Sequence, residues 1–136
     1  MMDFISLTFF SRSENIKIAR SVIQNFLAQK GIKEQDIFDT ELAVNEAIAN
    51  VIEHTYKFQR DKTIIMTLKW LEPNILEVYL RDFGEKVDPT KVKPRKLEEI
   101  RPGGLGVYII KKIFNKMEFK DVENGNLLYL LKKYEI

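Results

Sequence analysis

The feature that most constrains the fold is a pair of β-rich runs, 62–71 and 75–83, separated by only three residues. The runs read KTIIMTLKWL and ILEVYLRDF, and the Glu-Pro-Asn between them is turn chemistry. Two strands joined this closely pair as an antiparallel hairpin. A second pair, MEFKDV and LLYLLKKY, flanks Asn124-Gly125, which is a strong hairpin signal. We therefore expect a sheet built largely from antiparallel neighbours.

The rest of the chain predicts one more strand and three helices. Residues 3–10 alternate between apolar and polar side chains as a strand does. Ser11 to Glu14 match the capping-box pattern that precedes a helix. Apolar residues recur at helical spacing over three further segments, 15–29, 34–56 and 105–117. The order β-α-α-β-β-loop-α-β-β predicts an α+β fold: a two-layer α/β sandwich with a mixed, mostly antiparallel sheet covered on one face by helices.

The composition excludes several classes of protein. The length of 136 residues suits a single domain over 1–136, and a net charge of +2 is too small to indicate direct nucleic-acid binding. The sequence contains no run of about 18 apolar residues, so no membrane span is predicted. The N-terminus lacks the pattern of a signal peptide. The absence of cysteine removes disulfides and thiolate chemistry and suits a cytoplasmic protein.

The segment ELAVNEAIANVIEH, residues 41–54, predicts a largely apolar helix with Glu46 and Asn50 on one stripe. An amide oxygen is a suitable Mg²⁺ ligand, and a carboxylate can accept a proton from a hydroxyl held near a phosphate. Ala43 and Ala47 flank the stripe, and such small neighbours indicate a pocket wall. A solvated helix face is the alternative, because polar pairs at i and i+4 are common.

Two glycine-bearing stretches follow. In YLRDFGEKVDP, Asp82 ends a strand and Gly84 follows it, so the carboxylate can accept from an amino group while the glycine admits a flat ring. In RPGGLGVYIIKKI, Gly103, Gly104 and Gly106 precede and begin a helix, where free N–H groups favour anions such as phosphate. Neither a Walker A motif nor a Rossmann fingerprint is present. Taken singly, a plain turn and a hinge explain these stretches equally well.

In this order, the segments NEAIAN, DFG and GGLG resemble the N box and the two glycine boxes of the GHKL superfamily of ATPases. The small size and the stretches AVNEAIANVIEHTY, RDFGEKVDP and RPGGLGVYIIKKI are most similar to the stand-alone anti-sigma factor serine/threonine kinases. The resemblance covers most of the chain. It implies the Bergerat-type ATP-binding fold and the cofactors ATP and Mg²⁺.

The resemblance also implies a role for each matching residue. Glu46 would be the catalytic base that takes a proton from a Ser or Thr hydroxyl, and Asn50 would bind Mg²⁺ and the nucleotide. Asp82 would accept the adenine amino group, and Gly84 would let adenine sit close. An ATP lid is expected at about 84–103, with Lys86 among its cations. The remaining nucleotide contacts would be Arg101, Gly103, Gly104, Leu105, Gly106 and Asn126.

Asn126 departs from the superfamily pattern, which often has Gly-Thr where this chain has Gly125-Asn126. The resemblance implies a protein serine/threonine kinase that binds and inhibits a sigma factor and phosphorylates an anti-anti-sigma antagonist protein. A homodimer without membrane attachment is also implied. The alternative is an ATP-binding regulatory module, or a switch kinase that acts on a partner other than a sigma factor.

Overall fold

The computed structural model describes residues 2–88 and 104–135. Five strands and three α-helices lie in these ranges. The elements in chain order are β1 (Met2–Phe10), α1 (Ile16–Gln29), α2 (Glu34–Asn50), β2 (Thr63–Leu71), β3 (Ile75–Asp82), α3 (Gly104–Ile113), β4 (Lys116–Lys120) and β5 (Asn126–Lys133). This order agrees with the order predicted from the sequence.

The strands form one sheet in the order β1-β2-β3-β5-β4. All four pairings between described strands are antiparallel, so both predicted hairpins are confirmed. The register places Asp82, at the end of β3, directly opposite Asn126, at the start of β5. The topology therefore brings together two residues that lie far apart in the sequence.

The helices cover one face of the sheet. Alternate residues of β2, including Ile64, Met66 and Leu68, are fully buried beneath them, and α1 and α3 both pack against α2. Ile48 of α2 lies in the same core, and burying a side chain of this size stabilises a fold by about 1.5–3 kcal/mol. The two-layer α+β architecture is confirmed. No helix within the described ranges is long and apolar enough to span a membrane.

Two local predictions about the helices differ from the structure. The capping box is wrong: α1 begins at Ile16 after a short 3₁₀ turn, and its N-cap has no side-chain hydrogen bond. The Ser11 hydroxyl instead donates to the Gln59 carbonyl at 2.5 Å and accepts from the Lys62 N–H at 3.1 Å. These bonds fasten the end of β1 to the segment before β2.

The second difference lies at the end of α2. The α-helix stops at Asn50, and residues Val51–Thr55 continue as a single π-helical turn. Such wide turns are rare and are frequently found at functional sites. The predicted continuous helix to residue 56 is therefore divided, with the polar stripe close to the point of division.

Candidate active site

The site is anchored by Asp82, which is 2% exposed at the end of β3. Its Oδ1 accepts from the Asn126 Nδ2 at 3.0 Å and from the Gly84 backbone N–H at 3.0 Å. Among described residues, every side-chain hydrogen bond that this carboxylate receives ends on Oδ1. Both donors therefore hold the same oxygen, Oδ1.

The charge of Asp82 is set by opposing effects. Burial raises the pKa of this carboxyl, while the hydrogen bonds from Asn126 and Gly84 and the nearby Arg81 guanidinium counteract that rise. Arg81 also donates to the Asp82 carbonyl at 2.8 Å and lies 4.4 Å from the centre of the Phe83 ring. A buried carboxylate with one oxygen fixed by donors suits recognition of an exocyclic amino group, as adenine would require.

The glycine before Asn126 explains why the two strands can meet so closely. Gly125 has a φ of +73°, and a Cβ there would collide with the Asp82 carbonyl oxygen and the Phe83 Cα. Only glycine adopts this conformation without strain and leaves that space empty. The hairpin turn is therefore part of the construction of the site.

Gly84, which was predicted to admit adenine, is also required by the close packing around it. A Cβ on Gly84 would collide with the Thr55 methyl group and crowd the Tyr56 ring. The glycine thus lets the end of the π-helical turn pack directly on the chain that leaves β3. Its role in admitting adenine stays a prediction.

Tyr56 completes this junction between the helix and the sheet. Its phenol oxygen accepts from the Phe83 backbone N–H at 2.7 Å and donates to the Thr63 carbonyl at 2.6 Å. Burial raises the pKa of Tyr56, so the hydroxyl remains protonated and able to donate at neutral pH. The sequence did not single out Tyr56. Its only signal was its position immediately after the polar helix.

The second part of the site is the polar face of α2. Glu46 and Asn50 are half-buried one turn apart, as predicted. Burial raises the pKa of Glu46, and the neighbouring Glu53 carboxylate raises it further. A carboxylate made more basic in this way is suited to accept a proton. His54 is exposed, and its Nε2 lies 3.9 Å from Glu53, at the edge of this face.

One prediction about this helix is wrong. Ala43 and Ala47 do not border an open pocket, because they are 0% and 2% exposed and belong to the hydrophobic core. Their small size serves the packing of α2 in the core that it shares with the sheet and the other helices. Glu46 and Asn50 of the polar stripe are more accessible than these two alanines.

The glycine-rich segment is described in part. Gly104 is the first residue of α3 and Gly106 lies in its first turn, so a helix N-terminus is present where it was predicted. Arg101 and Gly103 lie outside the described residues, as do the side chain of Leu105 and most of the expected lid, 89–103. Their assignments to the nucleotide stay predictions.

Residues 85–87, which directly follow Gly84, contact the protein itself. The Asn126 Nδ2 donates to the Glu85 carbonyl at 2.8 Å, and the Val87 N–H donates to the Asn126 Oδ1 at 2.7 Å. Lys86 donates to the Val122 carbonyl and lies 3.8 Å from Asp121, in the turn before β5. In this structure, Asn126 and Lys86 therefore bind protein groups.

The sequence matches the histidine kinase-like ATPase domain family over residues 9–132. The chain belongs to this family. The matched region contains Glu46, Asn50, Asp82 and Asn126, so both parts of the site lie within the ATPase domain. The expected membership of the GHKL group is thereby confirmed.

The chain is similar in sequence to a serine-protein kinase and in fold to a solved structure. The ATPase domain is 25% identical over 123 residues to the serine-protein kinase RsbW of Staphylococcus aureus strain MRSA252, covering 85% of this chain and 77% of the relative. It also superposes on the RsbU and RsbW domains of Rv1364c from Mycobacterium tuberculosis with a TM-score of 0.71 at 15% identity. That alignment covers 96% of this chain but only 32% of the longer protein.

A further solved structure shares the fold. The SiaB-SiaC complex from Pseudomonas aeruginosa gives a TM-score of 0.68 at 15% identity, covering 94% of this chain and 87% of that chain. At these identities the structural likenesses establish the fold alone. The predicted Bergerat-type architecture is therefore confirmed by both sequence and structure.

Proposed function

We propose that this chain is an ATP-dependent protein serine/threonine kinase that inhibits a sigma factor and phosphorylates an anti-anti-sigma antagonist protein. The proposal rests on two features of one domain: the buried, oriented carboxylate of Asp82, and the Glu46 carboxyl of raised pKa that lies one turn from the Asn50 amide on α2. The first is suited to hold adenine. The second pair is suited to a metal-bound phosphate and an incoming hydroxyl.

The donor set fits the cofactors. Among described residues, no cluster of three or more His, Cys, Asp or Glu side chains could hold a metal ion. Mg²⁺ does not require such a cluster, because it retains several waters and is commonly bound by one or two protein oxygens together with substrate phosphates. The Asn50 amide oxygen is a hard ligand of this kind, and the N-terminus of α3 is a suitable neighbour for phosphate.

Each residue of the site has a separate role in the proposed phosphoryl transfer. Bound Mg-ATP supplies the phosphoryl group, and the metal neutralises phosphate charge. The Asp82 carboxylate would accept from the adenine amino group and fix the position of the base. Asn50 would hold the metal, and Glu46 would take the proton from the Ser or Thr hydroxyl as the phosphoryl group passes to that oxygen and ADP leaves. The protein therefore contributes positioning, charge and one proton acceptor.

The proposed partners are supported in part by similarity to the relatives. RsbW is a serine-protein kinase, and SiaB forms a complex with SiaC. By that similarity we assign this chain a small antagonist protein as phosphate acceptor. The sigma factor as its inhibited target, the homodimeric state and the cytoplasmic location follow from the family resemblance of the sequence motifs. A switch kinase with a different target, or a module that binds ATP without transfer, is the alternative.

Substitution of the base tests the proposal. Glu46→Gln keeps the shape of the side chain but removes the proton acceptor, so transfer should fall by about 10²–10⁴-fold while ATP binding stays within about threefold of wild type. ATP affinity is measured by calorimetry, and transfer by the intact mass of an antagonist protein captured from the source organism. Glu72→Gln, the same change in the exposed turn between β2 and β3, is the matched control.

The outcomes separate the candidates. Unchanged transfer in Glu46→Gln would refute the assignment of the base. ATP binding by the wild type without phosphorylation of any captured partner would favour the regulatory module. Phosphorylation of a partner from a protein that never captures a sigma factor would favour the switch kinase.

A further inference from the structure

Three exposed phenylalanines lie at one end of the sheet, where β1 and β3 end and β2 begins. Phe58 is 67% exposed, and Phe10 and Phe83 are each 49% exposed. An accessible apolar side chain is ordinary when it stands alone, whereas several gathered in one place mark a surface that another molecule covers. This end of the sheet is therefore a candidate interaction surface.

Hydrogen bonds hold Phe10 and Phe83 at the same end. Phe10 is paired with Thr63 across β1 and β2. The Tyr56 hydroxyl donates to the Thr63 carbonyl at 2.6 Å and accepts from the Phe83 N–H at 2.7 Å. The last residue of β1 and the first residue after β3 are thus connected through two shared neighbours.

Phe58 lies in the turn between the π-helical turn and β2, and this turn is fastened on both sides. Before it, Tyr56 bonds to the backbone of Phe83. After it, the Gln59 carbonyl accepts from the Ser11 hydroxyl at 2.5 Å, next to the end of β1. The three phenylalanines therefore belong to one surface.

The backbone at Phe58 has a conformation that phenylalanine disfavours. Its φ is +64°, and that of Lys57 is +49°, in the left-handed region where a bulky side chain is an outlier. Asn74 has a similar φ of +61°, but asparagine tolerates this region. Strained residues of this kind cluster at binding sites. The Phe58 ring is thus kept exposed at a cost to its own backbone.

Arginine side chains lie beside these rings. The Arg12 guanidinium is 5.3 Å from the centre of the Phe10 ring, and that of Arg81 is 4.4 Å from the centre of the Phe83 ring. Arg12 also donates to the Arg60 carbonyl at 3.2 Å, which places a third arginine here. Aromatic side chains and arginine are enriched at the cores of protein–protein interfaces. The aromatic–arginine patch comprises Phe10, Arg12, Phe58, Arg60, Phe83 and Arg81.

The aromatic–arginine patch has an excess of positive charge. Glu14 lies 2.6 Å from Arg60 and balances its charge. The other exposed charged residues of segments 10–14 and 57–62 are three cations and one anion, namely Arg12, Lys57, Lys62 and Asp61. Arg81 adds a further cation from β3. A partner that presents carboxylates therefore complements this surface.

We propose that the aromatic–arginine patch is a docking surface for a protein partner that presents an acidic segment with apolar side chains. The phenylalanines supply apolar area, and Arg12 and Arg81 supply planar donors that match carboxylates. Both guanidiniums are already held by ring contacts and by backbone carbonyls, so little freedom is lost when they bind. This role is independent of phosphoryl transfer.

Photo-crosslinking identifies the occupant. A photoreactive benzoylphenylalanine replaces Phe58 in the full chain, expressed in the source organism, and the crosslinked peptide is sequenced by mass spectrometry. The same replacement of Phe38, which is 54% exposed on α2, is the matched control. We expect position 58 to capture a protein segment with net negative charge and apolar side chains that position 38 does not capture.

The captured segment is then made as a synthetic peptide, and its binding is measured by fluorescence anisotropy. Phe58→Ala should weaken binding about tenfold or more, because an aromatic anchor is lost. Phe38→Ala should leave the affinity unchanged. Arg12→Gln should weaken binding about threefold or more and make it less dependent on salt.

Phe58→Asn separates docking from a structural role. Because asparagine tolerates a positive φ, the thermal midpoint of the free variant should not fall below that of the wild type, while peptide binding falls as in Phe58→Ala. A purely structural Phe58 would give a lower midpoint and unchanged binding, and that result overturns the proposal.

Three other results also overturn it. The first is the capture of a basic segment, or no protein product at position 58 above the level at position 38. The second is a peptide that binds wild type and Phe58→Ala equally or binds neither. The third is sedimentation of the wild type, but not of Phe58→Ala, with phosphatidylglycerol vesicles in place of protein capture, which would indicate a membrane-binding surface.

Discussion

The two halves of the candidate site are built in opposite ways. At the sheet end, Asp82 is buried and fixed by donors, and the residues around it are joined by short hydrogen bonds. On α2, Glu46 and Asn50 are half-buried, and neither side chain is hydrogen-bonded within the described part of the chain. The sheet end is thus held by protein partners, whereas no described residue holds the polar groups of α2.

The two environments separate recognition from chemistry through the charge of each carboxyl. Burial raises the pKa of both carboxyls, but donors from Asn126 and Gly84 counteract the rise at Asp82, whereas the like charge of Glu53 adds to it at Glu46. The first arrangement favours a fixed anionic acceptor. The second favours a group that takes up a proton readily.

The largest expected effect comes from the turn that closes the sheet end. Gly125→Ala must place a Cβ against the Asp82 carbonyl oxygen at a φ of +73°, so backbone atoms have to move. We expect the free energy of unfolding to fall by about 3 kcal/mol or more, through strain and lost packing together. Urea denaturation followed by circular dichroism measures the change.

Gly31→Ala is the matched control for that change. Gly31 has a similar φ of +78°, but a Cβ there would meet nothing within 4 Å. Its substitution should cost only the left-handed conformation, about 1–2 kcal/mol. Equal losses in the two variants would show that the tight approach at Gly125 contributes nothing of its own.

A smaller effect is expected from Asp82→Asn, which should weaken ATP binding by about a hundredfold or more. The Asn oxygen would keep the bonds from Asn126 and Gly84, so an amide N–H₂ would face the adenine amino group in place of a free acceptor. Calorimetric titration with Mg-ATP measures this loss. Affinity equal to wild type would remove Asp82 from adenine recognition.

The same variant should be more stable than the wild type without nucleotide. A carboxyl whose pKa is raised in the folded state favours folding when protonated, and that contribution is lost as pH rises through the folded pKa. Asn carries no charge, so the advantage of Asp82→Asn should be largest near neutral pH and vanish at strongly acid pH. Thermal unfolding at several pH values checks this, and an advantage that does not depend on pH would contradict it.

The sequence predicted the strands, their hairpins and the polar stripe because these depend on local patterns of period two and 3.6. It placed Asp82 and Gly84 correctly at a strand end for the same reason. It did not reveal that the Asn126 amide would be hydrogen-bonded to protein groups, because these contacts depend on the pairing of β3 with β5. Nor did it reveal Tyr56, whose partners Phe83 and Thr63 are brought close only by folding.

The predictions that failed also have physical causes. The capping box failed because Ser11 found backbone partners at Gln59 and Lys62, which a local pattern cannot anticipate. The pocket wall at Ala43 and Ala47 failed because helical spacing identifies a face of α2 without saying what packs on it. Patterns thus predicted which residues lie together on an element but not which partners tertiary structure gives them.

The smallest expected effect concerns the half of the site that is left open. Glu53→Gln removes the like charge that helps to raise the pKa of Glu46, so that pKa should fall while burial still keeps it above its ordinary value. Because a general base acts when ionised, the acid limb of the activity profile should move to lower pH with little change in the plateau rate. Phosphoryl transfer measured across the acid range checks this against Glu72→Gln, which removes a charge from the exposed β2–β3 turn. If both variants keep the wild-type profile, Glu53 does not tune the base, and the contrast between the two halves of the site rests on burial alone.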